Sequence, residues 1–285
     1  MKLLRYGEAG REKPGMLDDA GNIRCLASLV ADIDGEALAP AMLGKLGAVD
    51  SATLPLVDAG VRLGPCVGNV GKFLGIGLNY ADHAEESGAP IPTEPEVFSK
   101  ATSAICGPND NIIQPKDSDK LDWEVELGLV VGQHCRHVDQ AKALDHVAGY
   151  CVIHDVSERG FQLERGSQWD KGKGCDTFGP MGPWLVTRDE IPDPNNLAMW
   201  LEVNGRRYQH GNTSAMIFGP AAIVSYLSRF MSLKPGDVIT TGTPAGVGMG
   251  RNPPVFLQPG DVVELGVAGL GIQRQTVVPS GGDQG

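Results

Sequence analysis

Asp122-Trp123-Glu124-Val125-Glu126-Leu127-Gly128-Leu129-Val130-Val131 joins a pair of glutamates to an apolar run of strand length. Side chains alternate along a strand, so Glu124 and Glu126 share one face while Val125 and Leu127 enter the other. Two carboxylates side by side on an apolar strand repel each other unless a proton or a cation lies between them. A solvent-facing edge carrying two charges is the plain alternative, since E-x-E is a common pattern. A third acid favours the cation. Gly149-Tyr150-Cys151-Val152-Ile153-His154-Asp155 is an apolar strand that ends in Asp155. Three carboxylates with positions open to water or substrate oxygen suit a hard divalent cation, Mg²⁺ (magnesium) first and Mn²⁺ second. Zinc fits less well, because no His or Cys is placed with the acids.

The same texture of short apolar runs broken by Gly and Pro extends from Lys72 onward. Strands are predicted at Phe73–Ile76, Val97–Lys100, Val125–Val131, Tyr150–Ile153, Trp184–Val186, Ala198–Val203, Val238–Thr241 and Val262–Val267. Helical patterns occupy Ala81–Ser87, Val138–Val147 and Pro220–Phe230. Strands outnumber helices and do not alternate with them, which argues against a doubly wound parallel sheet. The expected class is α+β, mainly β, with a mixed sheet rolled into a barrel-like or sandwich core. Residues 1–68 read as a small N-terminal domain, with a strand at Lys2–Tyr6, a returning hairpin strand from Ile23 to Leu29 and a helix over Asp34–Leu46. Residues 69–278 make the catalytic domain, and 279–285 are expected to be a frayed, flexible tail.

Composition narrows the function. The 285 residues include 39 Gly and 20 Pro, many for a helical protein and apt for turns and short strands. A net charge of −11 repels phosphate backbones, and no basic patch interrupts it, so nucleic acid is not an expected partner. The longest uncharged run, Tyr208 to Ser228, is broken by Gln209, His210, Asn212 and Thr213, so no membrane partner is expected. The six cysteines are scattered without a C-x-x-C, which reads as free thiols in a cytoplasmic protein. His134-Cys135-Arg136-His137 lacks a second ligand pair and reads as a surface turn.

Gly75-Ile76-Gly77-Leu78-Asn79-Tyr80-Ala81-Asp82-His83-Ala84-Glu85-Glu86 passes from strand to helix, with Asn79 as the expected N-cap. Its glycines fail the dinucleotide fingerprint, because Tyr80 stands at the third required position. His83 and Glu86 lie three apart on one helix face. A carboxylate holding one imidazole nitrogen orients the other as a general base, against the alternative of an ordinary exposed ion pair.

Taken with Asp155-Val156-Ser157-Glu158-Arg159, Lys173 before Asp176-Thr177-Phe178-Gly179-Pro180, Val203-Asn204-Gly205, and Lys234-Pro235-Gly236-Asp237 through Thr241-Gly242-Thr243-Pro244, these motifs resemble the fumarylacetoacetate hydrolase family over roughly residues 70–278. The resemblance implies a mixed β-roll, a homodimer, and Mg²⁺ or Mn²⁺ held at Glu124, Glu126 and Asp155. It assigns a water-activating dyad to His83 and Glu86, a catalytic lysine to Lys173, and substrate contacts to Arg159, Gln162 and Thr243. The family commonly carries an acid after that arginine; here Gly160 stands there, which leaves the support of Arg159 open.

Within the family the chain looks most like bacterial hydrolases of 2,4-diketo-3-deoxy sugar acids, and sequences of this appearance also carry the label ureidoglycolate lyase. The implied reaction is hydrolysis of the C3–C4 bond of a small 2,4-diketo acid, giving pyruvate and a carboxylic acid. A β-keto acid decarboxylase of the oxaloacetate type, and a non-catalytic metal- and ligand-binding protein, are the alternatives.

Overall fold

Val125–Val131 forms a strand at the predicted positions, and every one of its residues is buried. The computed structural model describes residues 1–281. Around that strand runs a mixed ten-stranded sheet, in the order Ile23–Cys25, Lys13–Leu17, Lys2–Tyr6, Gly179–Thr187, Val147–His154, Val125–Val131, Val238–Thr240, Phe73–Gly77 and Glu96–Lys100, with Ile105–Cys106 beside Gly179–Thr187. A second sheet orders Arg206–Asn212, Ala198–Val203, Val262–Val267, Gly271–Val278 and Ile112–Ile113. The fold is therefore mainly β with mixed sheets and a roll-like core; the strands do not close into a barrel.

The two faces of the large sheet explain why its central strand carries so little polarity. Val125, Leu127, Leu129 and Val131 join a core with Leu201, Val263 and Leu265 of the second sheet. Val130 points the other way, into a core with Leu3, Leu26, Leu38 and Leu185. Part of that second core comes from residues 1–68, whose first strand pairs antiparallel with Gly179–Thr187 and so extends the large sheet.

Several elements differ from expectation: Lys13–Leu17 and Gly271–Val278 are strands beyond those expected, and the strand expected from Ile23 to Leu29 stops at Cys25. Arg206–Asn212 is too polar to read as a strand, yet it pairs with Ala198–Val203 through Asn204-Gly205. Both turn residues have positive φ, 52° and 75°, the geometry of a two-residue hairpin turn that Asn-Gly favours. The helix expected over Asp34–Leu46 spans Pro40–Gly47, because Asp34 Oδ1 accepts from the backbone of Glu36 and Ala37 in a turn. The one expected over Val138–Val147 shrinks to Gln140–Ala143 and a 3₁₀ turn, since Val147 is taken by the sheet opposite Val131. Pro220–Phe230 is helical at its predicted bounds. Cys135, expected in a surface turn, is buried and bridged to Leu233. Of the tail expected at 279–285, residues 282–285 lie outside the described residues. Among the described residues no helix is long and apolar enough to cross a membrane.

Candidate metal centre and catalytic cavity

Strand register brings the three acids together. Val147–His154 runs antiparallel to Val125–Val131 with Glu126 opposite Ile153 and Val125 opposite His154. One step further, the Asp155 N–H donates to the Glu124 carbonyl at 3.0 Å. Glu124, Glu126 and Asp155 thus each offer a carboxylate oxygen, all within 4.8 Å of one another and all buried. On the far side Val238–Thr240 pairs with the same strand, and the Thr240 hydroxyl donates to Glu126. The Gly242 N–H donates to the same oxygen at 2.6 Å. Gly242 has φ +91°, and a Cβ there would lie 2.8 Å from that of Asn79, so glycine is required for this donor to reach its carboxylate.

Three side-chain cations lie against this cluster. Lys173 Nζ bridges Glu124 Oε2 and Asp155 Oδ2, each at 2.7 Å. Lys100 Nζ donates to Asp155 Oδ1, and Arg159 Nη2 to Glu124 Oε1 at 2.7 Å. Burial opposes ionisation of Glu124, but Lys173 and Arg159 outweigh it and hold this carboxyl below its ordinary range. Burial, then the charges of Asp155 and Glu124, push Glu126 well above its own. Such a carboxyl keeps its proton unless a further cation is at hand. An all-oxygen set of three converging carboxylates fits a hard divalent ion.

His83 sits in the helix Ala81–Glu86 beside this cluster, its Nδ1 3.3 Å from Glu86 Oε2. Glu86 is itself fixed by the Gly246 N–H at 3.0 Å. That pairing puts the imidazole proton on Nδ1 and leaves Nε2 as the basic nitrogen. Asn79 does not cap the helix as expected; Tyr80 holds that position with no side-chain cap. The Asn79 amide instead donates to the carbonyls of Phe218 and Thr241 and accepts from Phe218 N–H, tying the helix start to the Thr241–Thr243 turn. His83, the three acids and Lys173 all line one cavity of about 230 Å³. Phe98 and Trp169 form a wall, with ring centroids 5.7 Å apart. Gly75 and Gly77 make room for these rings: a Cβ would come within 2.1 Å of Phe98 or 2.4 Å of Trp169.

The remaining predicted residues are placed as follows. Arg159 and Gln162 share the short helix Arg159–Leu163. Arg159 needs no acid after it in sequence, because Asp122 Oδ2 accepts from its Nε at 2.8 Å, Glu124 from Nη2, and Gln162 Oε1 from Nη1 at 3.0 Å. Gln162 lines the cavity. Thr243 also lines it, but its hydroxyl donates to the Val125 carbonyl and accepts from Gln209 Nε2 at 2.7 Å, so its proton serves the protein rather than the expected substrate or water. Three structural partners escaped sequence reading: Lys100, Asp122 and Gln209, all buried. A lysine closing an apolar strand and an acid beside Trp123 were visible signals. Gln209 gave none, since its partners Val125, Thr243 and Pro244 are remote in sequence.

Residues 72–278 match the model of the fumarylacetoacetate hydrolase C-terminal family. The chain belongs to the fumarylacetoacetate hydrolase family. A Burkholderia orbicola relative, whose name describes nothing finer than a hydrolase, is 65% identical over 276 residues, which is 96% of this chain and 98% of that protein. The fumarylacetoacetate hydrolase of Exiguobacterium antarcticum superposes with a TM-score of 0.87 at 36% identity, covering 98% of this chain and 99% of that one. A maleylpyruvate hydrolase from Sphingobium sp. SYK-6, solved with manganese(II) and pyruvate, gives a TM-score of 0.80 at 27% identity, with 98% and 99% covered. A probable 2-hydroxyhepta-2,4-diene-1,7-dioate isomerase from Mycobacterium abscessus also superposes, with a TM-score of 0.84 at 35% identity over 98% of this chain and 99% of that one, so isomerases as well as hydrolases share the fold.

Proposed function

We propose that this fumarylacetoacetate hydrolase family member is a divalent-metal-dependent hydrolase that cleaves the C3–C4 bond of a small 2,4-diketo acid, releasing pyruvate and a carboxylic acid. The observation that carries the reading is the convergence of an acid triad and a His–Glu dyad on one cavity. The manganese and pyruvate in the maleylpyruvate hydrolase support it. Glu124, Glu126 and Asp155 would hold Mg²⁺ or Mn²⁺, which when bound stabilises negative charge developing on a substrate oxygen.

The chain's own residues supply the rest. His83, held through Nδ1 by Glu86, takes a proton from water at Nε2. The water oxygen bonds to C4, the C3–C4 bond breaks, and its electron pair leaves with C3 as the pyruvate enolate. That enolate takes a proton to become pyruvate, while the acyl part departs as the acid. Lys173 has two of its three donors on Glu124 and Asp155 and offers the third to the substrate. Arg159 positions Glu124 and Gln162. A homodimer is the proposed assembly, checked by mass in solution. The polyhydroxylated end of a sugar acid is the finer expectation from sequence.

The test is pyruvate release from an acylpyruvate by metal-stripped protein, before and after Mg²⁺ or Mn²⁺ is restored. His83→Ala should lower kcat by about 10²- to 10⁴-fold with metal binding intact. Near-normal turnover of that variant would remove the water-activation step. Oxaloacetate decarboxylation that survives the loss of His83 would favour the decarboxylase instead.

A further inference from the structure

The cavity lining is of two unlike kinds. The acids, His83 and Lys173 make one, with Lys173 Nζ 5.2 Å from the centre of the Phe98 ring. The other walls are Ile76, Leu78, Phe98, Leu163, Trp169 and Met249. Polar side chains are few in the lining. Gln162 Oε1 accepts from Arg159, which leaves its amide N–H groups and His83 Nε2 open to the cavity, while the Thr243 hydroxyl serves Val125 and Gln209. Ser87 stands at the exposed rim. Among the described residues Lys173 is the only Lys or Arg that lines the cavity, and it is bound to two of the acids. Arg159 is turned to Asp122, Glu124 and Gln162, and Lys100 to Asp155 and two backbone carbonyls.

Resting on the hydrolase reading above, we infer that the acyl part of the substrate is uncharged and apolar, a short alkyl or aryl group, and that Phe98, Leu163, Trp169 and Met249 select it. A second carboxylate would give up its hydration with no cation to receive it. A row of hydroxyls would lose water with few groups to replace it, and this is the physical objection to a sugar-acid end. The walls offer the apolar group burial against flat rings, and the rings are held by glycines that admit no side chain of their own.

The test reads binding without turnover. Calorimetry on the Mn²⁺-loaded enzyme compares three six-carbon 2-oxo acids that lack the 4-oxo group and so cannot be cleaved: 2-oxohexanoate, 2-oxohexanedioate and 2-oxo-3-deoxygluconate. The expected result is 2-oxohexanoate tighter than each of the others by about tenfold or more. Leu163 is 48% exposed at the mouth, so Leu163→Arg is tolerated on the surface. This variant should narrow the gap to 2-oxohexanedioate by about tenfold. Either polar acid binding as tightly as 2-oxohexanoate, no binding by any of the three, or an unchanged gap in Leu163→Arg would overturn the assignment. Preserved ranking with no pyruvate released from any acylpyruvate would remove the hydrolase reading alone.

Discussion

Asp122→Ala isolates a residue that touches neither the three converging acids nor the cavity yet holds both in place. Its carboxylate is fully buried and accepts four donors: Arg159 Nε at 2.8 Å, and the N–H groups of Trp123 at 2.8 Å, Gly248 at 2.6 Å and Met249 at 3.0 Å. Breaking a buried ion pair by removing one partner costs about 3–5 kcal/mol. Each buried N–H left unpaired adds about 1–3 kcal/mol. These terms overlap, because Arg159 keeps Glu124 and Gln162, and water entering the space left by the carboxylate re-pairs some donors. A loss of about 4 kcal/mol is therefore expected, rather than the sum of the parts. Asp122→Asn keeps an acceptor oxygen for the Gly248–Met249 backbone but faces Arg159 without charge, so about 2 kcal/mol is expected. Urea unfolding followed by tryptophan fluorescence measures both, and the alanine variant should melt about 10 °C below the parent. A loss under about 1 kcal/mol for Asp122→Ala, or a larger loss for Asp122→Asn, would refute the assignment of Asp122 as the anchor of Arg159 and of the 248–249 turn.

Three other outcomes follow from the same geometry. Saturating Mn²⁺ or Mg²⁺ at about 100 times its Kd should stabilise the fold by about 2.7 kcal/mol. Glu126→Gln should abolish most of that rise in melting temperature, and an equal rise in the variant would place the ion elsewhere. Burial holds the His154 imidazole down at about 4, against 6.5 when unfolded. Its contribution is complete above pH 6.5 and disappears as the pH falls toward 4, about 3 kcal/mol in all. His154→Gln should flatten this acid limb of the stability curve, and a limb unchanged by the substitution would contradict the burial argument. Gly77→Ala would press its Cβ onto Trp169, which must shift because the approach is 2.4 Å. A raised KM for an acylpyruvate with little change in melting temperature is expected; unaltered kinetics would show that the ring does not wall the substrate.

Much of the site was legible because its parts obey short-range rules. Alternation along Val125–Val131 is enough to put Glu124 and Glu126 on one face. Helical spacing is enough to pair His83 with Glu86, and the structure shows them joined. The Asn204-Gly205 hairpin was equally legible by its turn chemistry, but the polarity of Arg206–Asn212 hid the strand that follows it. Asn79 shows the opposite failure: its capping chemistry suits a helix start, yet distant carbonyls at Phe218 and Thr241 claimed its amide.

By itself, then, the sequence determined the mainly β class, the family, and which acids and which imidazole stand close to one another along the chain. Tertiary structure alone decided that Asp155 lies across from Glu124, since strand register is a relation between segments some 30 residues apart. It also decided that Lys100, Asp122 and Gln209 serve the site, and that two glycines first resembling a nucleotide fingerprint instead seat Phe98 and Trp169. Neighbours along a strand or helix are set by backbone period, whereas buried charges and flat rings take whatever partners the packing of remote segments brings within reach.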